Sequence, residues 1–210
     1  MGAVFRKTSI LCGVMFGLLG AAPAARANTP GEVQIGEPLR DAVLQGLNGR
    51  TRRLSEFRGR PLIINIWASW CGPCRMEMAS LERLAWLEPA KHFTIIGIST
   101  DDYRDKALEY LGSSNATISH FIDSRLQMEN MLGAERLPLT VFVDSNGRVI
   151  DKIYGARQWD GPEALALIVK AFHIGHAPNG IVKSAAPPAS LRRMSTPDSR
   201  QCRSRSSIHP

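Results

Sequence analysis

Cys71-Gly72-Pro73-Cys74 lies between a nearly unbroken apolar run, Leu62-Ile63-Ile64-Asn65-Ile66-Trp67, and a stretch with helical apolar spacing. No other feature restricts the possible folds as much. The apolar run has the length and composition of a central strand covered on both faces. After the cysteines, Leu81, Leu84, Ala85 and Leu87 recur at helical spacing with charged residues between them. This predicts a helix to about Glu88, with Pro89 as its stop. The first cysteine then sits where unpaired backbone N–H groups and the helix dipole favour a thiolate. Cys71 is expected to be exposed and to be the nucleophile that attacks a disulfide, and Cys74, one turn in, to resolve the mixed disulfide that forms. Pro73 suits a first helical turn because its missing N–H is not needed there.

A cysteine pair can also be part of a zinc site or a static bond. Zinc takes about four ligands. Outside the pair only Cys202 remains beyond the leader, and His92, His120, His173, His176 and His209 show no spacing that completes a site. No metal ligand set and no cofactor are expected. Met76 and Met78 invite a copper reading, but two methionines on a helix are more often packing residues.

The rest of the chain frames this unit. Arg6 and Lys7 precede an apolar run from Ser9 to Ala22, followed by the small-x-small pattern Ala25-Arg26-Ala27. That order predicts a signal peptide over 1–27. The run is shorter than the roughly 20 residues of a spanning helix, although a retained anchor is the alternative. Cys12 follows Ile10-Leu11 rather than the small residue of a lipoprotein signal, and falls in the leader. From 176 to 210 the chain has Pro178, Pro187, Pro188 and Pro197 among Ser, Ala and Arg, without an apolar run able to pack. A disordered basic tail is expected. It carries the odd thiol Cys202, for which there is no physical account.

The net charge of +7 belongs to these ends. Arg6, Lys7 and Arg26 supply three charges and the tail five, its six basic residues opposed by Asp198, which leaves −1 on residues 28–175. With no excess of positive charge to displace counterions from phosphates, the domain is not expected to bind nucleic acid.

Within 28–175, Leu44 to Leu54 reads as a hairpin turning at Asn48-Gly49, a pair that readily takes positive φ. Phe93 to Ser99 reads as a second buried strand, and Tyr103 to Leu111 as a helix ending at Gly112. A strand-helix-strand unit of this kind has parallel strands and a right-handed crossover. A brief strand at Phe121-Ile122 and a helix from Arg125 to Leu132 follow. Thr140 to Asp144 and Arg148 to Ile153 form a hairpin around Ser145-Asn146-Gly147, and Gly161-Pro162 opens a last helix to about Phe172. The expected fold is an α/β three-layer sandwich, a mixed sheet between helices with an N-terminal β-hairpin extension. No internal repeat is present.

Trp67-Ala68-Ser69-Trp70-Cys71-Gly72-Pro73-Cys74-Arg75 resembles the active site of thioredoxins, and in particular the exported TlpA/ResA-like branch. The resemblance spans roughly residues 32 to 172. It takes in Leu54-Ser55-Glu56-Phe57-Arg58-Gly59-Arg60, the Leu137-Pro138 element and the glycine of the last hairpin. It implies a thioredoxin-like fold. It also implies a cis proline at Pro138, with the backbone before it facing the sulfurs and pairing with substrate as an added strand. Where thioredoxin has a buried aspartate in its central strand, this chain has Asn65. The TlpA/ResA-like branch has a glutamate three residues past the second cysteine, and Glu77 occupies that place.

Glu77 also falls on one helical stripe with Cys74, Leu81 and Leu84. A carboxyl there would be desolvated and able to take a proton from Cys74; a solvated glutamate in a first helical turn is the alternative. Trp70 is expected on the substrate surface and Trp67 in the core.

The function implied is thiol-disulfide exchange with exported client proteins, as a reductase for cytochrome c maturation or copper-site assembly. A membrane thiol-reductant donor would recycle it in a compartment where disulfides persist. The periplasm or another extracytoplasmic space is the expected location, and a monomer the expected state. An oxidant that donates its disulfide and a copper metallochaperone holding the ion through both thiolates are the alternatives. Peroxidase activity is not expected, because the peroxidatic Thr-x-x-Cys pattern is missing.

Overall fold

The computed structural model describes residues 30–174. The expected leader over 1–27, the tail over 176–210, Cys12 and Cys202 lie outside them.

Seven strands form one mixed sheet: β1 (Val43–Gly46), β2 (Arg52–Arg53), β3 (Leu62–Trp67), β4 (Thr94–Ser99), β5 (Ser119–Ile122), β6 (Leu139–Val143) and β7 (Val149–Tyr154). Their spatial order is β2-β1-β5-β4-β3-β6-β7. β3, β4 and β5 run parallel, while β6 joins β3 antiparallel and β7 joins β6 antiparallel. The helices are α1 (Gly72–Leu84), α2 (Arg104–Ser114), α3 (Gln127–Leu132) and α4 (Pro162–Ala171). None of the described helices is long and apolar enough to cross a membrane.

Alternation along β3 explains the layering, since successive side chains of a strand point to opposite faces. Ile63 packs with Leu81 and Leu84 of α1 and Ala164 and Ile168 of α4. Trp67 packs with Cys71, Cys74 and Met78 and with Ala107 and Leu111 of α2. Leu62, Ile64 and Ile66 face the other way, toward Met128, Met131 and Leu132 of α3 and toward Val33, Leu39, Leu54 and Phe57. With both faces covered, β3 is buried at all six positions, Asn65 included, as its nearly unbroken apolar run requires.

The ends of several elements differ from the sequence reading. α1 stops at Leu84 with Ala85 as its cap, and Pro89 belongs to a separate 3-10 turn over Glu88–His92. α2 continues through Gly112 to Ser114 and ends on Asn115, which takes the left-handed conformation at φ 51°. Asparagine tolerates that region, so the helix did not need its glycine as a stop. Arg125 and Leu126 precede α3 because the Asp123 carboxylate accepts the backbone N–H groups of Gln127, Met128 and Glu129, which sets the start of the helix. Between β1 and β2, neither Asn48 nor Gly49 has positive φ. The Asn48 amide instead donates to Ile118 O and accepts from His120 N, both at 2.8 Å, binding the loop to β5.

Gly97, in the middle of β4, shows a close approach that only glycine permits. A Cβ there would lie 2.2 Å from Nδ1 of the buried His120 and 3.0 Å from Trp67 Nε1. His120 stacks edge-on against Trp67 and faces the buried Glu82 of α1, with Nε2 and Oε1 3.6 Å apart. Glu82 also accepts from Thr117 N and Thr117 Oγ1, so its carboxylate joins α1 to the start of β5. Gly97→Ala is expected to lower stability by about 1–3 kcal/mol, the usual range for overpacking a full core. A denaturant midpoint unchanged from wild type would show that His120 moves aside freely.

Candidate active site

The loop from β3 to α1 puts Cys71 at the N-cap position, extended at φ −80°, and its Sγ accepts the Cys74 N–H at 3.2 Å. Pro73 falls within the first turn. Cys71 and Cys74 form a disulfide, with Cα atoms 5.3 Å apart. Cys74 is fully buried and Cys71 only 5% exposed. Cys71 is therefore less open than the sequence suggests, because in the oxidised form it packs into the cluster of Trp67, Ala68, Met78 and Leu137. It remains the more accessible of the two cysteines.

Leu137-Pro138 is a cis peptide bond leading directly into β6. Trp70, beside Cys71, is 71% exposed, and Trp67 is wholly buried. Met76 is 73% exposed while Met78 is 1% exposed and part of the core, so the two methionines do not present their sulfurs to one place. Among the described residues no group of three or more His, Cys, Asp or Glu side chains is placed to hold a metal ion.

Glu77 lies on the α1 face that also carries Cys74, Leu81 and Leu84, and all four are buried. Its Oε1 accepts from Asn65 Nδ2 at 2.7 Å, and its Oε2 accepts from Arg157 N and Trp159 Nε1, both at 3.0 Å. Burial raises its pKa above the ordinary value, and the hydrogen bonds from Asn65, the Arg157 amide and Trp159 partly oppose that shift. Asn65, in the central strand, therefore serves as a neutral donor to this carboxylate.

Three parts of this arrangement went unnoticed in the sequence. The first is the loop between β7 and α4, which lies along α1. Trp159 N donates to Ser80 Oγ at 3.0 Å, and Arg83 pairs with Asp160 at 2.6 Å. Glu77, Ser80 and Arg83, spaced by three, form the helix edge that holds it. The second is Asp101, just past β4, which accepts from Ser69 N, Ser69 Oγ and Ser99 Oγ and so pins the residues before Cys71. Its position at the carboxyl end of a parallel strand, where α/β sheets place their ligands, is the signal that could have found it. The third is Thr140 of β6, whose Oγ1 receives a hydrogen bond from Asn65 Nδ2 at 3.1 Å.

The arrangement suits reversible two-electron exchange: a sulfur pair at a helix N-terminus, a buried carboxyl on the same helix face and an exposed aromatic beside the outer sulfur. Comparison with known proteins points the same way. The Redoxin family model matches residues 34–168. The thiol-disulfide oxidoreductase ResA of Geobacillus thermodenitrificans is 30% identical over 123 residues, 59% of this chain and 71% of the relative. The thiol:disulfide interchange protein DsbE of Pseudomonas fluorescens biotype C is 33% identical over 125 residues, 58% of this chain and 67% of the relative. A crystal structure assigned as a thiol:disulfide interchange protein DsbE from Chlorobium tepidum aligns with a TM-score of 0.61 at 26% identity, covering 67% of this chain and 99% of that one. The chain belongs to the Redoxin family, and within it is a thiol-disulfide oxidoreductase of thioredoxin-like fold similar to ResA and DsbE proteins.

Proposed function

We propose that this oxidoreductase works as a reductase of disulfides in exported client proteins, of the kind met in cytochrome c maturation or copper-site assembly, with Cys71 as nucleophile, Cys74 as resolving thiol and Glu77 as proton acceptor. The observation that carries this reading is the buried Glu77 carboxylate on the Cys74 face of α1, held by three N–H donors.

In the reduced protein the Cys71 thiolate gains from the end of the helix and from the Cys74 N–H, which already points at Cys71 Sγ in the disulfide form. It attacks one sulfur of the client disulfide; that S–S bond breaks, the other client sulfur leaves as a thiolate, and Cys71 is joined to the client. Glu77 then takes the proton of Cys74. The Cys74 thiolate attacks Cys71 Sγ, and the second client thiolate departs and picks up a proton. Two electrons have passed to the client, and the protein holds the Cys71–Cys74 disulfide. Leu137, which packs against the Cys71 and Cys74 cluster, the cis Pro138 that follows it and the exposed Trp70 beside Cys71 are suited to holding an extended client segment.

The reducing direction is supported by Gly-Pro between the cysteines, as in reducing thioredoxins. It requires a membrane thiol donor to restore the dithiol. The basic, apolar leader supports a redox domain over 28–175 that acts outside the cytoplasm after loss of residues 1–27. Single-turnover mixing tests the direction. Dithiol protein should release thiols from a disulfide-bonded client faster than disulfide protein oxidises the reduced client. The opposite order would make it an oxidant, and copper held stoichiometrically after chelation would favour a metallochaperone.

A further inference from the structure

The two oxygens of the Glu77 carboxylate are not equivalent. Oε2 accepts two N–H groups, from Arg157 and Trp159, and neither donor can become an acceptor. Oε1, among the described residues, accepts only from Asn65 Nδ2. A proton arriving at the carboxyl therefore has its place on Oε1. Once there it must be donated, yet the Asn65 group facing it is itself a donor, so two donors would oppose each other in a dry site.

Asn65 carries the remedy. Its Nδ2 donates twice, to Glu77 Oε1 and to Thr140 Oγ1, while its Oδ1 is buried with no hydrogen-bond partner among the described residues. Turning the amide over places Oδ1 where Nδ2 stood. Its two lone pairs then accept from the protonated Glu77 Oε1 and from the Thr140 hydroxyl, which can donate as well as accept. Each orientation leaves one end of the amide unpaired, Oδ1 in one and Nδ2 in the other, and what differs between them is the fit to Glu77, as donor or as acceptor.

We propose that Asn65 is a positioning residue whose amide reverses with protonation of Glu77, so that the carboxyl is hydrogen-bonded both before and after it takes the Cys74 proton. The inference rests on the reading of Glu77 as that acceptor. An aspartate in this place would add a second charge, whereas the asparagine serves both states without one. The charged or titratable groups around the carboxyl are Cys74, one turn earlier on α1, and Arg157, on the β7–α4 loop. β3 and β6 present the neutral Asn65 and Thr140, and the loop adds Trp159.

The test follows the wild-type full chain by NMR from about pH 5 to pH 10, reading the Asn65 side-chain N–H signals and the Glu77 carboxyl carbon together. The expected result is one step in both, at a shared midpoint, with the Asn65 step lost in Glu77→Gln. A Glu77 step with Asn65 signals that do not follow it would overturn the reversal. A second reading comes from Asn65→Leu, which removes a hydrogen bond from both states of the carboxyl. The acid limb of mixed-disulfide resolution should then move by well under about one pH unit, with an unchanged plateau above it. An upward shift of a full unit or more would mark a donor that serves the carboxylate alone and would overturn the reversal. If Glu77 titrates without any parallel change in the resolution rate, the acceptor reading fails with it, and the fault then shows in Glu77 rather than in Asn65.

Discussion

Cys71→Ser is expected to bring reduction of a disulfide client down to the rate seen without protein, whereas Cys74→Ser should complete the first exchange and stop there with the client covalently attached. The asymmetry follows from position. Cys71 holds the N-cap of α1, accepts the Cys74 N–H and is the less buried residue of the pair, so a serine there leaves no thiolate for attack. Cys74 is fully buried and meets the client only through Cys71. Without its sulfur nothing displaces the client, and a species heavier by the mass of the client chain should accumulate. Intact-mass analysis checks both variants. Adducts on Cys71→Ser, or turnover by Cys74→Ser, would assign the roles the other way.

Glu77→Gln has the second largest expected effect. A buried base of this kind contributes about 10²- to 10⁴-fold, so release of the client from the mixed disulfide should slow by about a hundredfold or more on the high-pH plateau. The pH dependence has a definite sign. Burial raises the Glu77 pKa above its ordinary 4.5, so the wild-type rate should fall as pH drops through that raised value, and the variant should lack this limb. Stability runs the opposite way. A carboxyl whose folded pKa is raised contributes stability below its unfolded value that is lost as pH rises through the folded one. Glu77→Gln should therefore show a flatter decline in melting temperature over that window. A resolution rate and profile equal to wild type would remove Glu77 from the proton path.

How far the site was legible in the sequence depends on how local its signals are. The Cys71 to Glu88 stretch carries its own periodicity, so the helix, the buried Cys74-Glu77-Leu81-Leu84 stripe and the cysteine positions could be read directly, and the flanking apolar runs revealed the sheet. Element ends were less legible because they depend on distant or unusual partners: Asp123 sets the start of α3, and Asn115 rather than Gly112 ends α2. The partners of Glu77 were harder still. Arg157 and Trp159 are 80 and 82 residues further along, and no spacing rule connects them to α1. Gly97 did leave a signal, since a glycine inside a largely β-branched strand marks a close approach. What approached it, His120, became visible only with β5 paired beside β4.

The most direct test of the central claim is the reduction potential of the Cys71–Cys74 couple in the full chain, equilibrated in thiol buffers, acid-quenched and scored by the labelled mass of the peptide that holds both cysteines. The account predicts a reversible two-electron couple at about −250 mV or below, a reductase that depends on a dedicated donor; a value near −120 mV would make the protein an oxidant and contradict it.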